Sequence, residues 1–248
     1  MNCITVLTRG YNNIHKYNDL IKRNMHISNH LNDKNTDILI FHEGNITKEH
    51  QTYIKEKSDL KLIFIDVSNR AFKKEKNIPF EAAHTFGLGY RHMCSFWFIN
   101  FFDFVTKYDK MIRIDEDCFV ESNIDEIFIK LDSYLFISGL QSHDAPFVTK
   151  GLNEFSLQFF KKNNRIYKSK VPYGPYTNFF AISLNKINNT LFENYRKEID
   201  ESNMIYKRRW GDLPLWGEVI YYIFGENTLS IDKNIKYYHG SHDSRVNM

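Results

Sequence analysis

The stretch KMIRIDED, residues 110–117, joins an apolar run to three consecutive acids. Residues 111–114 have the β-prone, apolar composition of a buried strand, and Asp115, Glu116 and Asp117 follow directly. Ligands of open α/β sheets bind beyond the carboxyl ends of the strands. Three adjacent carboxylates repel one another unless a positive charge lies among them. The stretch therefore predicts a buried strand that ends at a cation site; the alternative is a solvent-exposed acidic turn.

Strands and helices alternate before this stretch. The predicted strands are residues 3–7, 37–41 and 60–67, and the predicted helices are residues 14–31 and 46–57. Thr47 is a candidate N-cap of the second helix. This order favours parallel pairing with crossover helices. We therefore expect an α/β fold with a mainly parallel open sheet flanked by helices.

The chain after residue 69 is less regular. Residues 69–89 show no clear period and predict a long loop or lid, whereas residues 90–108 predict a buried aromatic helix that is apolar nearly all round. Further strands are predicted at 131–140, 173–184 and 235–243, with helices at 185–200 and within 208–226. We expect this irregular C-terminal half to complete a cleft on the sheet, within a single domain of residues 1–248.

The composition excludes several classes of protein. A net charge of +3 with scattered basic residues argues against nucleic acid as the partner. The densest basic stretch, residues 159–170, is expected to be a solvated loop. Cys3, Cys94 and Cys118 are odd in number and widely spaced, so they indicate neither a disulfide framework nor a CxxC metal site. The sequence shows no signal-peptide pattern and no apolar run of the ~18 residues that span a membrane, which favours a cytoplasmic or otherwise soluble protein.

Asp115 and Asp117 are suited to a hard divalent cation. Alternate residues of an extended segment point the same way, so these two can face one ion while Glu116 points elsewhere. Mg²⁺ and Mn²⁺ take oxygen ligands and are commonly completed by substrate phosphates. Short acidic triplets also occur as solvated turns, and the residues alone leave both interpretations open.

Five motifs extend this interpretation beyond the acids. They are YRHMC (90–94), KYDKMIRIDED (107–117), TNFFAISL (177–184), RRWGD (208–212) and YYHG (237–240). In this order they resemble the motifs of the fungal α-mannosyltransferases of glycosyltransferase family 15, with YRHMC and RWGD-x-P the most specific. The resemblance spans most of the chain. It implies a GT-A fold and retaining transfer of mannose from GDP-mannose, with Mn²⁺, or alternatively Mg²⁺, as the ion.

The resemblance also implies roles for single residues. Asp115 stands where the family has a metal-binding glutamate, and Asp117 matches the last acid of that motif. His239 falls where the family has a metal-binding histidine. Tyr90 matches a donor-site tyrosine, and Asp212 matches an active-site acid.

Each of these roles has an alternative. Tyr90 could simply begin a buried helix, Asp212 could be a helix N-cap, and His242 is a close rival of His239. The donor diphosphate would be neutralised by the metal and by a basic residue, for which Arg9 is the candidate.

One position departs from the family pattern. The segment that matches TNFFAISL carries, in the family, a glutamate considered as the nucleophile, and Phe179 or Phe180 stands in its place. Another acid would then serve, with Asp212 and Glu218 as candidates. Otherwise the acceptor attacks from the front face, and the departing diphosphate takes its proton.

The aromatic residues suit a carbohydrate substrate. Flat faces on which sugars could stack are expected from Trp97, Trp210, Trp216 and residues 173–176. Glycine-rich phosphate loops are absent from the sequence. The sequence therefore predicts a metal-dependent retaining hexosyltransferase that acts on a glycan or other hydroxyl acceptor. A UDP-sugar donor, an inactive glycan-binding protein and a metal-dependent phosphohydrolase remain as alternatives.

Overall fold

The computed structural model describes residues 1–72, 78, 87–168 and 170–247. Its N-terminal half contains β1 (Asn2–Leu7), α1 (Asn18–His30), β2 (Asp37–His42), α2 (Lys48–Glu56), β3 (Leu62–Asp66), α3 (Leu88–Ser95), β4 (Lys110–Ile114) and β5 (Cys118–Val120). The predicted loop or lid at residues 69–89 falls mostly on residues 73–77 and 79–86, which lie outside the described residues.

The C-terminal half begins with α4 (Ile124–Lys130), β6 (Phe136–Ser138), β7 (Gln141–Ser142), α5 (Leu152–Lys162), β8 (Gly174–Pro175) and β9 (Phe179–Ser183). It continues with α6 (Thr190–Ser202), α7 (Met204–Arg208), α8 (Asp212–Val219), β10 (Leu229–Ile231), β11 (Tyr237–His239) and β12 (Ser244–Val246). Within the described residues, no helix is long and apolar enough to cross a membrane.

Seven strands form the central sheet, in the order β10-β6-β9-β4-β1-β2-β3. β1 pairs in parallel with both β2 and β4, and β3 pairs in parallel with β2, which confirms the predicted mainly parallel sheet. β9 runs antiparallel between β4 and β6. A small antiparallel sheet, β12-β11-β5, and the ribbon β7-β8 lie beside it.

Alternating side chains of the strands supply a hydrophobic core on each face of this sheet. Ile4, Ile38 and Ile112 are buried in the cluster that also contains Leu20 and Ile27 of α1. Neighbouring positions, such as Leu39 and Met111, belong to the aromatic cluster of the opposite face. Strands covered on both faces read as continuous apolar runs, which is why β2 and β4 stand out in the sequence.

The predicted aromatic helix forms most of the second core. α3 continues through a π-helical turn at Phe96–Asn100 and a 3₁₀ turn at Phe101–Phe104. Trp97, Trp210 and Trp216 are only 2%, 0% and 1% exposed, so the prediction that they stack on a sugar is wrong. Their size and apolar area are used for packing. Tyr173, which is 51% exposed, remains accessible.

Several boundaries differ from the predicted ones because local capping decides them. The predicted helix at 185–200 begins only at residue 190, where the Asn189 side chain accepts hydrogen bonds from the next backbone N–H groups. α4 is missing from the sequence-based description and is capped in the same way by Asn123. The basic stretch 159–170 is a loop only after residue 162, because its beginning is the last turn of α5. The Thr47 cap of α2 is confirmed.

α8 packs very closely against β8. A Cβ built on Gly174 would lie 2.1 Å from the backbone oxygen of Leu213, and one built on Gly217 would lie 3.1 Å from the Cα of Gly174. Only glycine therefore permits this approach, which fixes the position of the helix that carries Asp212.

Gly174→Ala should lower the free energy of unfolding by about 1–3 kcal/mol, since the added methyl group overlaps a backbone that cannot move without displacing α8. Urea unfolding of the purified protein measures this change. Gly89→Ala is the control, because a Cβ there meets nothing within 4 Å and alanine favours the helix. Equal effects of the two substitutions would contradict the close packing.

Candidate active site

The three acids beyond β4 diverge to different partners. The Glu116 carboxylate accepts hydrogen bonds from the hydroxyls of Thr8, at 2.6 Å, and Tyr11, at 3.2 Å, both near the end of β1. Burial raises its pKa, against the effect of these two bonds. Glu116 thus points away from Asp115 and Asp117, as the alternation of an extended segment predicts.

Asp115 is paired with Arg113 of the preceding strand. Its two carboxylate oxygens accept from Nε at 2.7 Å and from Nη2 at 3.0 Å. Burial raises the pKa of Asp115, and the Arg113 guanidinium opposes this effect. A forked arginine–carboxylate pair of this kind fixes the orientation of both groups.

Arg113 also reaches α8. Its Nη1 donates to Asp212 at 2.5 Å, and its guanidinium lies 4.5 Å from the ring of Trp97. Burial alone would lower the pKa of Arg113, which is 4% exposed, but the charges of Asp115 and Asp212 outweigh burial and raise it. The positive charge that the acidic triplet requires is therefore supplied in part by the protein itself.

A second buried arginine contacts the backbone of β1 and β4. Arg23 of α1, which is 0% exposed, donates to the backbone oxygens of Ile114, at 2.9 Å, and Thr5, at 3.1 Å. Burial lowers its pKa to about 10, and the nearby Asp115 opposes this effect. Arg23 holds β1 and β4 together where their carboxyl ends meet.

Asp117 meets the C-terminal strand β11. Its Oδ2 accepts from the backbone N–H of Ser241 at 2.9 Å and lies 3.5 Å from Nε2 of His239. The register of β5 and β11 sets Cys118 opposite His239. One ligand atom from each of Asp117, Cys118 and His239 falls within 4.8 Å of the others. Residues more than a hundred positions apart thus form a cluster that could hold a metal ion.

The chemistry of this cluster fits a borderline divalent cation. Burial lowers the pKa of His239, which favours the neutral imidazole that binds metals. Its Nδ1 lies 3.2 Å from the hydroxyl of Tyr176, which can accept the Nδ1–H that metal binding at Nε2 requires, and 2.9 Å from the side-chain nitrogen of Asn178, which can only donate. Burial raises the pKa of Cys118, which therefore remains a thiol, a poor ligand. A carboxylate and an imidazole are suited to Mn²⁺. His242, the predicted rival, lies 4.4 Å from His239 between ring centroids.

Tyr90 lies near the start of α8, where the first residue is Asp212. Burial raises the pKa of Tyr90, and the Arg209 guanidinium lies 4.8 Å from its ring. Arg209 itself has a left-handed backbone, with φ of 61°, just before the helix. Asp212 is 4% exposed and is the first residue of α8, whose N-cap is Gly211. The alternative in which Asp212 acts only as an N-cap is therefore wrong.

Two predicted residues lie apart from this group. Arg9 is exposed, and its guanidinium lies 5.2 Å from the ring of Tyr11, on the Glu116 side of the triplet. Glu218 is 0% exposed and accepts a hydrogen bond from Tyr167 at 2.9 Å, within the aromatic core. Burial raises its pKa to about 8. The structure gives Glu218 a buried partner and no open face to a substrate.

The two phenylalanines that stand where the resembling family has a glutamate are core residues. Phe179 is 0% exposed and stacks on Tyr237, with ring centroids 5.5 Å apart. Phe180 is 2% exposed and pairs with Arg113 across β4 and β9. Neither side chain can take part in sugar transfer.

Sequence analysis missed Arg113, Arg23 and Asn178. A signal existed for Arg113, because an arginine inside an otherwise apolar strand needs a carboxylate partner when buried. Arg23 lies on a helix face like many solvated arginines, and Asn178 lies in a turn rich in polar residues. Neither position carries a pattern that distinguishes it.

Arg113→Met should lower the free energy of unfolding by about 3–5 kcal/mol, because it leaves the buried carboxylate of Asp212 without its cation. Urea unfolding measures the loss. Arg245→Met is the matched control, since its pair with Glu121 is exposed and contributes about 1 kcal/mol or less. A loss of unfolding free energy for Arg113→Met no larger than that for Arg245→Met would rule out a stabilising role of the Arg113–Asp212 ion pair.

The stability of the protein should depend on pH through Glu218. Below its ordinary pKa of 4.5 both the folded and the unfolded chain hold the proton; between 4.5 and about 8 only the unfolded chain loses it, so the free energy of unfolding falls as pH rises. Glu218→Gln removes this effect. The variant should therefore gain stability relative to the parent between pH 5 and 8, by up to about 1.4 kcal/mol per pH unit. The control Glu154→Gln, at an exposed position of α5, should show a constant difference.

Comparisons with known proteins bear on the fold. Neither family models nor curated protein sequences match this chain. Core-mannan synthase A from Aspergillus fumigatus, solved in an Mn/GDP form, has a TM-score of 0.81 at 14% identity over 96% of this chain and 74% of that chain. The mannosyltransferase Ktr4p from S. cerevisiae has a TM-score of 0.78 at 17% identity over 96% and 70%. The galactosyltransferase LgtC is more distant, with a TM-score of 0.52 at 13% identity over 92% and 72%.

These likenesses confirm the predicted fold class. The sheet, its flanking helices and the C-terminal half follow the fungal mannosyltransferases over nearly the whole described chain. The resemblance first seen in five short motifs is thus matched in three dimensions. The chain has the GT-A fold of glycosyltransferases, in the form found in the fungal mannosyltransferases.

Proposed function

We propose that this protein is a metal-dependent retaining glycosyltransferase that moves mannose from GDP-mannose to a hydroxyl of a glycan or other acceptor. The observation that carries the proposal is the meeting of Asp117 and His239 beyond the strand ends of a GT-A fold. Two similar structures are described as complexes with Mn/GDP and with GDP, which supports the donor class.

Asp117 and His239 are the proposed metal ligands. Asp115 is the third candidate: both of its oxygens face Arg113, yet each carboxylate oxygen retains a second lone pair for an ion. A divalent ion held there would stabilise the charge that develops on the leaving diphosphate. The imidazole ligand favours Mn²⁺ over Mg²⁺.

The remaining residues bind and orient the two substrates. Tyr90 is the proposed donor-binding tyrosine, and the Arg209 guanidinium lies against the face of its ring. Arg113 holds the carboxylate of Asp212 in one position, where it can accept a hydrogen bond from a hydroxyl of the reacting sugar. Arg9, which is exposed and lies near Tyr11, is the proposed basic residue that attracts the diphosphate.

An inactive glycan-binding protein is the second candidate, and the buried Phe179 and Phe180 at the family's glutamate position favour it. The two candidates differ in chemistry. A transferase hydrolyses its donor slowly when water replaces the acceptor, whereas a binding protein leaves every nucleotide sugar intact.

Thermal unfolding with Mn²⁺ and a panel of nucleotides and nucleotide sugars tests the donor site. A ligand at a hundred times its Kd should stabilise the folded state by about 2.7 kcal/mol, or roughly 5–10 °C in Tm. We expect GDP and GDP-mannose to do so only in the presence of metal. Asp117→Asn should abolish the shift, and the exposed control Asp59→Asn should preserve it.

Each other outcome identifies a different error. A shift with UDP-sugars alone would keep the site and change the donor. A shift that persists in Asp117→Asn would place the nucleotide elsewhere. The absence of any shift together with the absence of donor hydrolysis would exclude the transferase.

A further inference from the structure

The residues just before α8 pack against the loop that follows β7. The indole N–H of Trp210 donates to a backbone oxygen of this loop at 3.0 Å, and the Arg209 guanidinium lies 5.9 Å from the ring of Phe147. A Cβ built on Gly211 would come within 2.9 Å of Oδ2 of Asp144. The loop is therefore packed against residues 209–211, and the Asp144 carboxylate lies beside Gly211 at the N-terminal end of α8.

Asp144 and Asp212 both lie at the N-terminal end of α8. Burial raises the pKa of Asp144; the neighbouring Arg209 lowers it, while Asp212 raises it. Asp144 is half-buried, whereas Asp212 is 4% exposed. Of the two carboxylates, Asp144 is the one that a hydroxyl group arriving from solvent can reach.

Different partners hold the two carboxylates. Arg113 donates directly to Asp212, which fixes the position of that carboxylate. Asp144 has the charge of Arg209 nearby, and His143, its neighbour in the chain, also faces it. Two acids in unequal environments are the arrangement by which enzymes separate a group that accepts a proton from one that only stabilises charge.

The acceptor side of the site needs such a group. The phenylalanines at 179 and 180 offer no proton-accepting atom and are buried. Tyr173, which is 51% exposed, packs edge to face on His143 with ring centroids 4.7 Å apart. An exposed aromatic ring therefore lies beside the loop that carries Asp144, as a sugar acceptor requires.

We infer that Asp144 receives the proton of the acceptor hydroxyl, a conclusion that rests on the proposed glycosyl transfer. The acceptor oxygen forms the new bond to the anomeric carbon of the donor sugar on the face from which the diphosphate leaves, so that the configuration is retained. The bond from that carbon to the diphosphate oxygen breaks, and its electron pair leaves with the diphosphate. The proton of the acceptor hydroxyl passes to the carboxylate of Asp144.

Asp144→Asn tests this role because it keeps the shape of the side chain and removes its basicity. Transfer is measured with Mn²⁺, the donor identified by the nucleotide panel, and methyl α-mannoside as the acceptor probe. The rate should fall by about 10²–10⁴-fold, while the nucleotide-dependent rise in Tm is preserved. Glu154→Gln, an exposed acid on the following helix, is the matched control and should stay within twofold of the parent.

Asp144→Ala adds a readout that a structural role would not move. Formate supplied in solution should restore part of its transfer rate, since the small carboxylate can occupy the vacated space. A rate for Asp144→Asn within fivefold of the parent would show that the diphosphate takes the proton and would overturn the inference.

Two further outcomes would also overturn it, in distinguishable ways. Loss of the nucleotide-dependent Tm rise in Asp144→Asn would make Asp144 a donor-binding or structural residue. A parent protein that shows no transfer and no donor hydrolysis with any nucleotide sugar would exclude the proposed function, and this inference with it.

Discussion

The arrangement of the site depends on one buried guanidinium, that of Arg113. It lies near the end of the central strand β4 and contacts the carboxylate of Asp115, just beyond that strand, and the carboxylate of Asp212 at the start of α8. A buried charge is stable only where groups of opposite charge surround it. Separating β4 from α8 would therefore leave a buried ion without its partner, at a large cost in free energy. The sheet and the C-terminal half are joined at this point by charge as well as by packing.

The ion pairs of Arg113 also change how the acidic triplet is interpreted. Three consecutive carboxylates suggest one strongly negative site, yet each contacts a different neighbour. Glu116 contacts the loop after β1, Asp115 contacts Arg113, and Asp117 lies beside His239 of β11. The extended backbone turns adjacent side chains in different directions. The triplet therefore connects three parts of the molecule, and Asp117 is its member in the cluster of described residues that has the chemistry of a metal site.

The sequence predicted the parallel half of the sheet well, because buried strands there read as unbroken apolar runs separated by amphipathic helices. It predicted the second half poorly, since α4 depends on its Asn123 cap and α5 buries only one face. The tryptophans show a general limit: composition reveals a large apolar ring but not whether that ring faces the core or the solvent. Asp144 follows no pattern in the chain and acquires a neighbour in Asp212 only through folding.

Pairing of Asp117 with His239 could be expected only from resemblance, because no local periodicity links positions so distant. Asn178 and Tyr176, which contact the histidine, precede a strand whose reversed direction brings them to the same edge as the end of β4. A purely parallel sheet would place that turn at the opposite edge. The strand β9, predicted within residues 173–184 but without its antiparallel direction, thus completes the site.

The pairing of β5 with β11 has a consequence for the order of folding. Strands β1, β2 and β3 pair with one another over short stretches of chain, whereas Cys118 meets His239, and β1 meets β4, across more than a hundred residues. Contacts of such long range are costly in loop entropy and form late. Until then the acids after β4 have no histidine beside them, and the nearby Arg113 is the cation that is present from the start. The charge of Arg113 thus offsets the repulsion among these acids before His239 is in place.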